Sequence, residues 1–259
     1  MLDLVRNTLE RPPDTFKPNP VRIAIIASRF IPRLSLVSRS IQTRTMASTS
    51  SASTPKPAPW KSAFLEHIGK MDSPEFVFSS LHSAPSGAPT SHVPRARYCI
   101  FRGFWAELPE NKHNEAPQNE RNYESEMPTF TSDVRMLKVP EIFNSSAGHA
   151  DRREQTVGSG GGGPCEAVWW MKETQTQWRL KGEAFVVAPD IEEETEQSKM
   201  SSGVRTAKSE LGSRMRVVKE EGKENWSWSK ELTAHFGNNS PGLRGESQTG
   251  CASTRVRHS

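Results

Sequence analysis

The residues in this chain best suited to chemistry are basic ones on extended segments: Pro94-Arg95-Ala96-Arg97, then Arg102, and Lys138 downstream of Thr131-Ser132. Guanidinium, ammonium and hydroxyl donors can grip a phosphate dianion through charge-assisted hydrogen bonds of about 1.5 to 3 kcal/mol each. Alternation along a strand puts Arg95 and Arg97 on one face and Arg102 on the other, so one phosphate meets all three only at a bulge or a strand end. Taken alone, the set reads more readily as a solvated strand face than as a site.

Other chemistries are excluded by residue type and spacing. The seven histidines never fall at i, i+4 on a helix or beside a ligand pair, so no metal site is expected. Cys99, Cys165 and Cys251 are odd in number and far apart, which gives neither a disulfide framework nor a zinc pattern. No serine sits in a nucleophile elbow. The run Gly158-Ser159-Gly160-Gly161-Gly162-Gly163-Pro164 has no Lys-Ser/Thr after it and precedes a strand rather than a helix, so it reads as a flexible linker and not a phosphate cradle.

The elements that must position the basic residues begin at Pro59. Trp60, Phe64, Leu65 and Ile68 share one face of a short helix ending near Gly69. A strand over Phe76 to Leu81, a turn region over Ala84 to Thr90 and a long strand over His92 to Trp105 form a hairpin. Residues 107–126 read as a loop insertion, Thr129 to Ser132 as a short strand, and Asp133 to Phe143 as a helix in which Pro140 sits awkwardly. A second insertion, 144–163, contains the glycine run. Cys165 to Lys172 and Gln175 to Ala188 are the clearest strand pair, and most tryptophans read as core. A third insertion, 190–201, holds the acidic run Glu192 to Glu196, read as solvated, and helices follow over Ser202 to Val218 and Glu224 to Phe236.

Charge is unevenly spread. Residues 1–59 carry nine Lys/Arg against three Asp/Glu, while 60–259 carry 25 against 27, so the net +4 arises in the N-terminal segment. A polyanion binder needs its basic residues on the folded surface, and no nucleic-acid partner is expected. No apolar run approaches the roughly 18 residues needed to cross a bilayer, so no membrane partner is expected either. Between Thr15 and Pro59 there is no acidic residue, and five arginines alternate with Ser, Ile and Leu. That is the composition of a mitochondrial presequence; the alternative is translation from Met46, with a cytoplasmic protein. On either reading residues 1–57 are set outside the fold as a disordered leader.

Four segments in order resemble the pyridoxamine 5'-phosphate oxidase family, in its FMN-binding, Alr4036-type branch common in fungi and cyanobacteria. They are Pro94-Arg95-Ala96-Arg97-Tyr98-Cys99-Ile100-Phe101-Arg102-Gly103-Phe104; Thr129-Phe130-Thr131-Ser132-Asp133-Val134-Arg135 with Lys138; Thr176-Gln177-Trp178-Arg179-Leu180-Lys181-Gly182; and Ala234-His235-Phe236 through Asn239-Ser240-Pro241-Gly242-Leu243-Arg244-Gly245. The resemblance implies a β-rich α+β fold, an FMN-binding split β-barrel with flanking helices over residues 58–245, FMN as cofactor, and a homodimer with the flavin at the subunit interface. It further implies that Arg97, Arg102, Thr131, Ser132 and Lys138 hold the phosphate side, and that Gln177 faces the ring, where an amide both donates and accepts. Ser240, with Asn239, stands for the family's Gln-Ser pair.

The departures are specific. Arg102 replaces a lysine, Leu137 an arginine and Met136 a helix-start serine, which removes two donors. The Tyr, Arg-Pro and Ser that hold the substrate's phosphate in the oxidases proper are missing between Ser202 and Phe236, so the substrate is unassigned. Residues 246–259 are a short polar tail where the family continues into further strands, as in a truncated form whose barrel edges would lie open. The expectation is an FMN-dependent oxidoreductase of unknown substrate. Its alternatives are a flavin-binding protein without turnover and a small barrel for another ligand.

Overall fold

The computed structural model describes residues 56–146, 158–192 and 201–240, and the backbone alone of residues 22–27. The remaining leader, residues 147–157, the run 193–196, Pro241 to Gly245 and the tail lie outside the described residues.

The described strands are β1 (Arg22–Ala27), β2 (Glu75–Ser83), β3 (His92–Ile100), β4 (Tyr123–Glu124), β5 (Thr129–Ser132), β6 (Gly160–Met171), β7 (Thr176–Val187) and β8 (Arg216–Val217). The helices are α1 (Lys61–Ile68), α2 (Lys138–Asn144), α3 (Ser202–Gly212) and α4 (Trp228–Gly237). All pairings are antiparallel, giving a six-stranded sheet in the order β3-β2-β6-β7-β1-β5 and a separate pair, β4-β8. The fold is mixed α+β, as the sequence implies. The segment after β3 also reaches β5, because Arg102 N donates to Thr129 O and Thr129 N to Gly103 O, both at 2.9 Å.

Period-two alternation divides the interior into two clusters. On one face Phe76, Phe78, Ala167, Trp169, Ala184 and Val186 are buried, with Phe64 of α1 set edge-on to Trp169 and Phe76 stacked on it at 4.5 Å. On the other face Phe185 and Val187 of β7 are covered by Leu211 of α3, Leu232 of α4 and Trp105. These helices cover only the C-terminal half of β7; its N-terminal half, with Gln177 and Arg179, is exposed.

Several boundaries differ from the sequence reading. The glycine run is no linker. Gly160 to Gly163 are buried residues of β6, with a bulge between Gly161 and Gly163. A Cβ on Gly161 would lie 2.7 Å from Ile142 Cγ2, and one on Gly163 2.5 Å from Ile142 O, so the glycines let α2 sit directly on the strand. Helix α2 begins at Lys138 rather than Asp133, which puts Pro140 in its first turn, where a missing N–H removes no helical bond. β3 ends at Ile100. The helix expected up to Val218 stops at Gly212, and Arg216–Val217 pairs with Tyr123–Glu124, inside the expected loop 107–126. The last helix starts at Trp228, after a 3-10 turn at Lys223–Asn225. Glu192 is no solvated charge, since its carboxylate accepts from Ser227 Oγ (2.6 Å), Trp228 N (2.7 Å) and Ser229 N (3.0 Å) at the start of α4. Finally, Arg22–Ala27, assigned to the leader, forms a strand within the main sheet.

Candidate functional site

β2 and β3 pair in register, so Ser80 and Arg97 share the face that carries Phe76 and Phe78. α2 lies over that face and delivers Glu141, 2% exposed. Ser80 Oγ donates to Glu141 Oε2, Arg97 Nη2 donates to the same oxygen at 2.5 Å, and Arg97 Nη1 donates to Ser80 Oγ at 2.5 Å. His82 Nδ1 stands 3.4 Å from Glu141 Oε1. Arg97 is thus oriented by a buried carboxylate, with its side chain 23% exposed and the guanidinium 5.8 Å over the Phe78 ring. The sequence reading missed Glu141. Its only local signal is its place three residues after Lys138, next to the apolar Ile142-Phe143.

Lys138 is the first residue of α2, and the chain wraps it closely enough that burial pushes its ammonium below the usual lysine range. Arg97 pushes the same way, while Cys99, Glu141 and Asp133 oppose it. No hydrogen bond or ion pair engages its Nζ among the described residues. Burial also pushes the Cys99 thiol up, despite Lys138 and Arg97 nearby. Arg97 and Lys138 therefore belong to one cluster.

β5 supplies the hydroxyls. Ser132 Oγ donates to Asp133 O at 3.1 Å, and Asp133 is held below the usual carboxylate range first by its hydrogen bonds from Arg135. Thr131 Oγ1 donates to Asn239 Oδ1 at 3.0 Å, so the chain beyond α4 returns to β5. Asn239 is buried, whereas Ser240 is exposed beside it.

Arg102 and Gln177 stand apart from this cluster. Arg102 is half-buried, its Nε has no hydrogen-bond partner among the described residues, and burial is the cause that draws its guanidinium below the usual range. Gln177 is exposed opposite Trp170, on the face of the sheet away from Arg97. A cavity of about 160 Å³ near Glu107, Glu120 and Glu231 contains none of the expected site residues, and its carboxylates are ill suited to a phosphate. No group of three or more His, Cys, Asp or Glu forms a metal site among the described residues, and no described helix is long and apolar enough to cross a membrane.

The profile of the pyridoxamine 5'-phosphate oxidase FMN-binding domain matches residues 57–188. The chain belongs to this family. No curated protein and no solved structure gives a significant match. The span matched to the pyridoxamine 5'-phosphate oxidase domain contains Arg97, Arg102, Thr131, Ser132, Lys138 and Gln177, and ends before Asn239 and Ser240. The donors fit the family's flavin phosphate: Arg102 Nε and Lys138 Nζ are half-buried donors without a hydrogen-bond acceptor among the described residues, and a buried cationic donor is costly until an acceptor joins it, although Glu141 and Asp133 already lie near Lys138. Glu141 tempers this fit by placing a negative charge behind Arg97.

Proposed function

We propose that this chain is an FMN-binding flavoprotein, an oxidoreductase of the Alr4036-type branch, built as a split barrel that works as a homodimer. The observation that carries the reading is that two half-buried cations, Arg102 and Lys138, leave side-chain donors without a hydrogen-bond acceptor among the described residues. Arg102 is bonded through its backbone to β5, and Lys138 starts the helix that follows β5. Arg97, Lys138, Thr131 and Ser132 hold the phosphate, Arg102, just past the end of β3 and bonded to β5, adds positive charge, and Asn239 with Ser240 close over β5. Bound flavin supplies the redox chemistry by accepting a hydride and passing electrons onward. The chain's residues bind, orient and keep water from the phosphate end. Gln177 faces away from the Arg97 cluster within one chain, so it serves a flavin held by a second copy. The exposed Tyr98 and Trp170 on the same face favour that docking.

The visible absorbance of the purified full chain, before and after addition of FMN, tests this. Stoichiometric flavin is the expected result. A folded sample that takes up none overturns it.

A further inference from the structure

β1 lies between β5 and β7 and pairs with both. Arg22 faces Ser132 and Ile23 faces Thr131 on one side, while Ile23 faces Val187 and Ala27 faces Glu183 on the other. Adjacent strands stand about 4.8 Å apart, so β5 and β7 are held about 9.6 Å apart, one strand too far to pair with each other. The residues bordering this gap are in the interior: Thr129, Phe130, Phe185, Val186 and Val187 are each at most 1% exposed. With the gap empty, the backbone N–H and C=O groups that β5 and β7 turn toward it would lose their ladder partners and leave two open strand edges.

The segment suits such a gap. Arg-Ile-Ala-Ile-Ile-Ala is rich in β-branched residues and free of acidic ones, and Pro20 and Pro32, which lack the N–H that a ladder needs, stand on either side of it. β5 depends on it more than β7 does. β7 also pairs with β6 from Thr176 to Val186, whereas among the described residues the other backbone bonds of β5 both fall at Thr129. Thr131 and Ser132 have β1 as their strand neighbour.

We propose that Arg22–Ala27 is the resident strand of this slot, and that the region upstream of Met46 is a working part of the domain because it holds Thr131 and Ser132 in place. The role assigned to those two hydroxyls rests on the FMN reading; the strand's seating does not.

Amide hydrogen exchange, measured without flavin, separates the two. The samples are the full chain, the full chain with Ala24→Pro, and the chain begun at Met46. Both altered chains are expected to exchange the amides of Phe130, Ser132, Phe185 and Val187, which strand alternation turns toward β1, about 10-fold faster or more. A synthetic peptide of residues 20–31, added to the shortened chain or present while it refolds, is expected to restore protection. Equal protection in the full chain and Ala24→Pro overturns the proposal, whether or not the shortened chain folds. FMN titration is read separately. If the full chain binds FMN, Ala24→Pro is expected to weaken binding about 10-fold; if the full chain binds none, the FMN reading fails while the exchange result stands.

Discussion

Arg102 is costly to the protein alone, because its buried Nε has no acceptor among the described residues and burial is the cause of its lowered guanidinium. An Arg102→Met variant, which keeps the side-chain stem and removes the charge, is therefore expected to unfold at the same temperature as the parent or a higher one without FMN, and to bind FMN about 10-fold to 100-fold more weakly. Thermal unfolding and flavin titration read the two effects separately, and a variant that is less stable without flavin would make Arg102 a structural residue. At this scale the sequence is readable where charge announces itself. Arg97 and Lys138 stand out as basic residues on short elements, and the structure does cluster them. Glu141 is invisible from the sequence, because its partners Ser80 and Arg97 lie 61 and 44 residues away and only the docking of α2 joins them. Gln177 shows the converse: its type suits a ring edge, but the parity of β7 turns it away from the cluster.

At the scale of elements, the seating of α2 on the glycine strand sets where Lys138 and Glu141 stand. A methyl group at Gly163 would meet Ser145 Oγ at 2.4 Å and the Ile142 backbone at 2.5 Å. Gly163→Ala is expected to cost about 1 to 3 kcal/mol, read as a lower denaturant midpoint, and to weaken FMN binding because α2 must move. The run reads as a linker from composition because glycine serves linkers and close approaches equally, and its partner α2 cannot be known from the run itself. The Ser227 cap of α4 gives a second prediction. Burial pushes the Glu192 carboxyl up, but bonds from Ser227, Ser229 and Trp228 outweigh it and hold the group below the usual carboxylate range. A depressed carboxyl stabilises the fold in full above its unfolded value and loses that contribution as pH falls through the folded one. Glu192→Gln is expected to lower stability at neutral pH by about 1 kcal/mol, a difference that closes on acidification below the usual carboxylate range, as thermal unfolding across pH would show.

For the whole molecule, one sheet face is half covered. Phe185 and Val187 lie under α3 and α4, while Tyr98 and Trp170 on the same face are 77% and 56% exposed. If this bare half receives a second copy, Trp170→Ser combined with Tyr98→Ser is expected to shift the protein to monomer in sedimentation at micromolar concentration, with unfolding of the isolated subunit little changed. A parent protein that is monomeric, or a variant that stays dimeric, removes this face as the dimer surface. The β2-β3 hairpin and the β6-β7 pair were legible from their bulky, β-favouring residues, whereas the other pairings and the division of the interior into two clusters came only from the folded sheet. β1 was not legible, because an acid-free, arginine-bearing composition spread over dozens of residues outweighs a six-residue strand pattern within it.

The place of β1 also bears on how the chain is made. Ile23 pairs with Val187, which leaves the ribosome roughly 160 residues later. At about 5 to 20 residues per second, a strand synthesised near the start waits roughly 10 to 30 s for both neighbours to exist. During that time an apolar, pairing-competent segment is exposed on the nascent chain, so the yield of native protein in cells depends on whatever shields the N-terminus until synthesis is nearly done.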